Sequence, residues 1–152
     1  MAVVLGAHRE LIQSAIDFAS AFVVVNENWQ EGMASSFREG VTAIGAKAPE
    51  AAGVLLMVCD QPRITTGHLR KMIDTFIRQS TPSIIASVYA GTRGTPAILP
   101  REAVPDLLAL RGDKGARALL ADSRWPVVEV AFAGGEVDLD RPEDLHKLHH
   151  SS

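Results

Sequence analysis

One run constrains the fold of this chain more than any other: Val54-Leu-Leu-Met-Val-Cys, apolar at every position and followed at once by Asp60-Gln-Pro. A strand with one wet face alternates apolar and polar side chains, so an unbroken apolar run fits a parallel strand covered by helices on both faces. It is expected to lie centrally in its sheet. Upstream, short β-branched runs at Val3–Leu5 and Phe22–Val25 alternate with amphipathic stretches from about His8 to Ala19 and from Ser35 to Lys47, the rhythm of βα units. Downstream, Leu69, Met72, Ile73, Phe76 and Ile77 recur at helical spacing within an expected helix from about Thr66 to Gln79, and a strand is expected at Ser83–Val88. After Tyr89 the rhythm changes. A Gly/Thr-rich loop leads to a short strand at Ala97–Leu99, then a helix from Pro100 through Leu110, a short helix at Ala116–Ala121, strands at Val127–Phe132 and around Val137–Leu139, and a closing helix from Pro142 to about Leu148. The expected architecture is α/β: three layers around a mostly parallel, doubly wound sheet.

Composition removes several function classes. The 152 residues are 47% hydrophobic, enough for one domain with its own core. With 22% charged residues and a net charge of −3, no broad basic surface exists to neutralise a nucleic-acid backbone. A lone cysteine, Cys59, rules out an internal disulfide framework and points to a reducing, cytoplasmic setting; within an apolar strand it is expected to be inert. The opening Met-Ala-Val-Val-Leu-Gly carries no basic leader and is too short an apolar run for a membrane span, so no membrane association is expected.

In a doubly wound sheet, ligands bind beyond the carboxyl ends of the strands. Four polar or glycine-bearing loops fall there: Asn26–Arg38, Asp60–Thr66, Ala90–Pro96 and Asp138–Asp144. Asp60 stands where the apolar run gives out, and Pro62 prevents the strand from continuing. Its carboxylate can hold Mg²⁺ or merely cap the turn. Asp138 and Asp140 share one side of a strand by the period of two, and either can partner Asp60; Asp140 also reads as an ordinary N-cap ahead of Pro142. Ser35 and Ser36 begin a helix whose free backbone donors suit a polar ligand, or they simply cap it. Gly91-Thr-Arg-Gly-Thr-Pro and Gly112-Asp-Lys-Gly-Ala-Arg permit close approach of an anion, although neither has P-loop or dinucleotide-fingerprint spacing and both also read as plain turns.

Taken in order, N-E-N-W-Q-E-G-M-A-S-S-F-R-E-G, C-D-Q-P, R-G-T-P-A-I-L-P, G-D-K-G-A-R and D-L-D-R-P-E-D-L resemble the molybdenum cofactor cytidylyltransferases and their guanylyltransferase relatives, over nearly the whole span from Val3 to Leu148. The resemblance implies a nucleotide-diphospho-sugar transferase-like fold and an Mg²⁺-dependent reaction that joins the monophosphate of CTP or GTP to molybdopterin and releases pyrophosphate. By motif, Asp60 and Asp140 become the catalytic Mg²⁺ ligands; Ser35, Ser36 and Arg38 position base and ribose; and Gly94, Thr95, Pro96, Gly112, Asp113 and Gly115 line the acceptor side. Self-association or contact with a molybdoenzyme is the macromolecular partnership the resemblance implies.

One departure from that family changes the expectation. Its opening strand and glycine-rich loop, L-A-A-G-x-S-x-R-M-G-x-x-K, have no counterpart here, which corresponds to one missing βα unit of roughly thirty to fifty residues. The chain is therefore expected to be an N-terminally truncated single domain, inactive or nearly so by itself, with apolar surface and two open strand edges. A non-catalytic descendant that binds a partner or a pterin is the alternative. A receiver-type phosphoacceptor domain is disfavoured, since only Gly-Ala-His follows Leu5 where that fold wants acidic residues.

Overall fold

The structure, a computed structural model, describes residues 1–113, 115–121, 124–141, 143, 144 and 146, with no side-chain description for 116–118. Its elements run β1 (Ala2–Leu5), α1 (Arg9–Ala15), β2 (Phe22–Val25), a 3-10 turn (Trp29–Glu31), α2 (Met33–Lys47), β3 (Gly53–Leu56), α3 (Thr66–Ile77), β4 (Ile84–Tyr89), β5 (Thr92–Pro100), a 3-10 turn (Arg101–Ala103), α4 (Val104–Leu108), α5 (Ala116–Ala121) and β6 (Val127–Ala131). The expected α/β alternation is present. β1 and β2 form a parallel pair, and the other four strands form a sheet in the order β3-β5-β4-β6.

Within the larger sheet, β4 and β6 are parallel, while β5 runs antiparallel to both β3 and β4. The reversal comes from a tight hairpin. Tyr89 pairs with Thr92 across Ala90 and Gly91, both at positive φ, a two-residue turn whose twist suits antiparallel strands. Because β5 inserts beside it, the apolar run at Val54 does not become a central parallel strand. β3 ends at Leu56, occupies the edge of its sheet and, among the described residues, pairs only with β5. Met57, Val58 and Cys59 lie beyond it, and Cys59 is exposed instead of buried in the core.

Alternation along the strands divides the core into two layers, as the period of two requires. On one face Ile84, Ala86, Ala97 and Leu99 pack with Leu56, Val41 of α2, Leu107 of α4 and Leu119 and Leu120 of α5. On the other, Ile85, Ile98 and Val130 close on Met72 of α3. Helix, sheet and helix thus form the expected three layers. α2 joins the two sheets: at Gly40 it lies so close to β1 that an added Cβ would sit 2.9 Å from Val4 Cγ2, while its Val41 belongs to the core of the four-stranded sheet.

Two further expectations meet the structure differently. Val137–Leu139 is not a ladder strand; Leu139 bonds to the neighbouring loop, its N–H donating to the Asp60 carbonyl at 2.9 Å. The closing helix from Pro142 falls largely outside the described residues. Among the described residues, no helix is long and apolar enough to cross a membrane.

Candidate active site

Asp60 follows β3, and that backbone bond from Leu139 draws the 138–140 segment alongside it. Two carboxylate-bearing loops 79 positions apart in sequence, at Asp60 and Leu139, are thereby held together. Asp60 Oδ1 is buried and has no hydrogen-bond partner. Orphaning a carboxylate oxygen away from water is costly unless a cation or donor approaches it. Asp140 is exposed, and the turn is capped by another residue: Asp144 Oδ2 accepts from the N–H groups of Asp140 and Arg141 at 3.0 and 2.9 Å. Capping therefore does not consume the Asp140 side chain. No group of three or more His, Cys, Asp or Glu side chains suited to a metal occurs among the described residues. Asp60 and Asp140 are carboxylates on adjoining segments, the ligand type and number that Mg²⁺ takes beside phosphate oxygens and water.

Behind this pair stands a dense scaffold. Opposite the Ala86/Ser87 step of β4, register moves from Ala97 to Gly94, so β5 carries Thr95 and Pro96 as a bulge. Ser87, buried in β4, donates to the Pro96 carbonyl at 2.7 Å and meets His68 Nε2 at 2.9 Å. The His68 ring stacks on Phe132 with centroids 4.4 Å apart, and burial holds its pKa below the usual imidazole value. Tyr89 meets Phe132 edge-on and leaves room only for glycine at two places: a Cβ on Gly94 would lie 2.2 Å from its hydroxyl, and one on Gly135 would lie 2.5 Å from its ring.

A second polar cluster lies at the start of α2. Asn26, 1% exposed, directly follows β2 and donates from Nδ2 to the hydroxyls of Ser35 and Ser36 at 2.7 and 3.0 Å; Ser35 in turn donates to the Gly32 carbonyl at 2.8 Å. The Ala34 N–H, one of the helix's orphan donors, goes to the Gly112 carbonyl at 3.1 Å. Gly32, at φ 112°, admits this loop so closely that a Cβ would meet Asp113 Oδ1 at 2.3 Å. Gly115 lies beside Met33 in the same way. Arg38 pairs with Glu31 and donates to the Leu110 carbonyl at 2.7 Å. The hydrogen bond to Arg38 lowers the Glu31 pKa, and the same bond raises that of Arg38.

The sequence-derived residues thus fall into two groups. Gly94, Thr95 and Pro96 stand with Asp60 and Asp140, whereas Gly112, Asp113 and Gly115 stand with Ser35, Ser36 and Arg38. Sequence reading singled out none of Asn26, Gln61, His68, Ser87 and Tyr89 as a site residue, although Asn26 and Gln61 lie in two of the candidate loops. Asn26 and Gln61 carried a usable signal, as polar residues immediately after apolar runs; Ser87 and Tyr89 look like ordinary strand residues until the bulge is known.

A family model described as the MobA-like NTP transferase domain matches residues 1–128. The chain belongs to that family. It is similar to nicotine blue oxidoreductase of Paenarthrobacter nicotinovorans, 25% identical over 153 residues, covering 96% of this chain and 73% of that protein. It is also similar to the purine catabolism protein PucB of Bacillus subtilis (strain 168), 27% identical over 123 residues, covering 79% of this chain but only 57% of PucB. Among solved structures, Rv0371c from Mycobacterium tuberculosis H37Rv in complex with manganese superposes with a TM-score of 0.81 at 30% identity, over 99% of this chain and 77% of that one. Molybdopterin-guanine dinucleotide biosynthesis protein A from Archaeoglobus fulgidus shares the fold, with a TM-score of 0.61 at 11% identity over 95% of this chain and 75% of that one. This MobA-like chain is therefore a nucleotidyltransferase by family.

Proposed function

We propose that this MobA-like chain belongs to an Mg²⁺-dependent nucleotidyltransferase that joins the monophosphate of CTP or GTP to molybdopterin, in the cytoplasm. The observation that supports this best is the buried, unpartnered Asp60 Oδ1 with the 138–140 loop bonded alongside it. In the reaction, an oxygen of the acceptor phosphate attacks the α-phosphorus, the bond from that phosphorus to the bridging oxygen breaks, and pyrophosphate leaves. Alignment and charge neutralisation are what such a transfer asks of a protein. Asp60 and Asp140 hold Mg²⁺, which when bound offsets the negative charge gathered on the phosphates. Ser35, Ser36 and Arg38 orient base and ribose, and Gly94, Thr95, Pro96, Gly112, Asp113 and Gly115 line the acceptor side. Arg38 must exchange Glu31 for the nucleotide to do so.

β1 and β3 each pair on one side only among the described residues. A further βα unit bearing the triphosphate-binding loop belongs to this reading on the family resemblance, and residues 1–152 are expected to turn over little by themselves. The same open edges favour, as a second reading, a non-catalytic descendant that engages a partner or a pterin through them. Turnover of the natural full-length protein with Mg²⁺, CTP or GTP and molybdopterin tests the first reading. Asp60→Ala is expected to lower it on the order of 100- to 1,000-fold. Turnover like that of the unmutated protein contradicts the metal assignment.

A further inference from the structure

Gln61 has the geometry of a brace between loops. Its side chain is buried, 6% exposed, although it directly follows the candidate metal ligand Asp60. The amide is used at both ends. Nε2 donates to the Gly135 carbonyl at 2.9 Å, and Oε1 accepts from the Thr95 hydroxyl at 3.3 Å. Gly135 lies in the turn that delivers the 138–140 segment, and Thr95 is one of the two residues bulged out of β5. One side chain therefore links the Asp60 loop, the Asp140 segment and the bulge. The backbone bond from Leu139 to the Asp60 carbonyl lies in the same junction. The Gly135 carbonyl requires a donor and the Thr95 hydroxyl here donates to an acceptor, and glutamine supplies that pair on one rigid plane.

We propose that Gln61 is a positioning residue that fixes the separation of the Asp60 and Asp140 carboxylates and so sets the affinity of the site for a divalent cation. The proposal rests on the reading of those two carboxylates as metal ligands. Side chains that orient ligands from behind typically change metal affinity by about 10- to 100-fold when removed. Gln61→Met keeps the length and loses both hydrogen bonds; Thr95→Val removes one prong, and Thr95→Ser retains it.

The test is a Mn²⁺ titration of the chain, read by the electron paramagnetic resonance of free Mn²⁺, with near-ultraviolet circular dichroism to establish the folded fraction of each variant. Affinity per folded molecule is expected to fall about tenfold or more in Gln61→Met. It is expected to fall less in Thr95→Val and to be restored in Thr95→Ser. Asp60→Ala is expected to abolish binding. Loss of binding in Asp60→Ala together with unchanged affinity in folded Gln61→Met overturns the role of Gln61 and leaves the metal reading standing. Unchanged binding in Asp60→Ala, or none in the unmutated chain, overturns both. Should Gln61→Met fail to fold, the Thr95 pair decides: equal affinity in Thr95→Val and Thr95→Ser overturns the brace.

Discussion

The two polar clusters are built on opposite principles. Around Asp60, buried and half-buried side chains from α3, β4, β5 and Gln61 brace the loops against one another, yet one carboxylate oxygen is left without a partner. At the start of α2, Asn26, Ser35 and Ser36 satisfy one another, and Arg38 is already paired with Glu31. On the proposed assignment, the first arrangement offers a cation a free carboxylate oxygen, and the second exchanges partners before it holds a ligand. Burial follows the same division. β4 and most of β5 are buried, whereas β1 and β2 are mostly half-buried and attached to the rest through α2. Preorganisation is thus concentrated where the sheet is covered on both faces.

Mutation in each half can break that contrast. Met72→Ala opens a void in the core behind the Asp60 scaffold and is expected to destabilise the protein by about 2–5 kcal/mol. Val24→Ala, on half-buried β2, is expected to cost clearly less in the same chemical denaturation series. Equal losses would erase the distinction between the halves. Asn26→Ala strips the shared donor from both serines and is expected to cost about 1–3 kcal/mol, since it leaves polar groups in a buried cluster without a partner. A smaller loss would mean that the serines find each other or water.

Acidity separates the clusters further. Burial depresses the His68 pKa, so the folded state binds the proton less well than the unfolded state, whose value lies near 6.5. Stability from this residue is complete above that value and is lost as pH falls through the lower folded pKa. Thermal unfolding of His68→Gln is therefore expected to vary less with pH below about 6.5 than that of the unmutated protein. Parallel curves would remove His68 from the scaffold's pH response. Glu31 is likewise depressed, by its hydrogen bond to Arg38, but as a carboxylate its contribution is present above the ordinary value of 4.5 and fades at lower pH. Because the pair is at the surface, Glu31→Gln is expected to have the smallest effect of the set.

Much of the fold was legible because local periodicity and burial agree. Phe22–Val25 matches β2, and the helix expected from Thr66 ends only two positions early, at Ile77. Failures cluster where a long-range contact overrides the local pattern. Gly94-Thr-Pro reads as loop, yet β5 runs through it as a bulge pinned by Ser87. Val54-Leu-Leu reads as a doubly covered central strand, yet insertion of β5 leaves it at an edge. Asp60 was conspicuous from sequence because it interrupts an apolar run. Gln61 beside it was not, since its two partners lie 34 and 74 residues away.

The most direct measurement of the metal assignment is an anomalous difference map from crystals soaked in Mn²⁺. The expected result is a single strong peak at about 2.0–2.3 Å from both Asp60 Oδ1 and an Asp140 carboxylate oxygen. A peak that misses Asp60, or no peak at Mn²⁺ concentrations that saturate binding in solution, would contradict it.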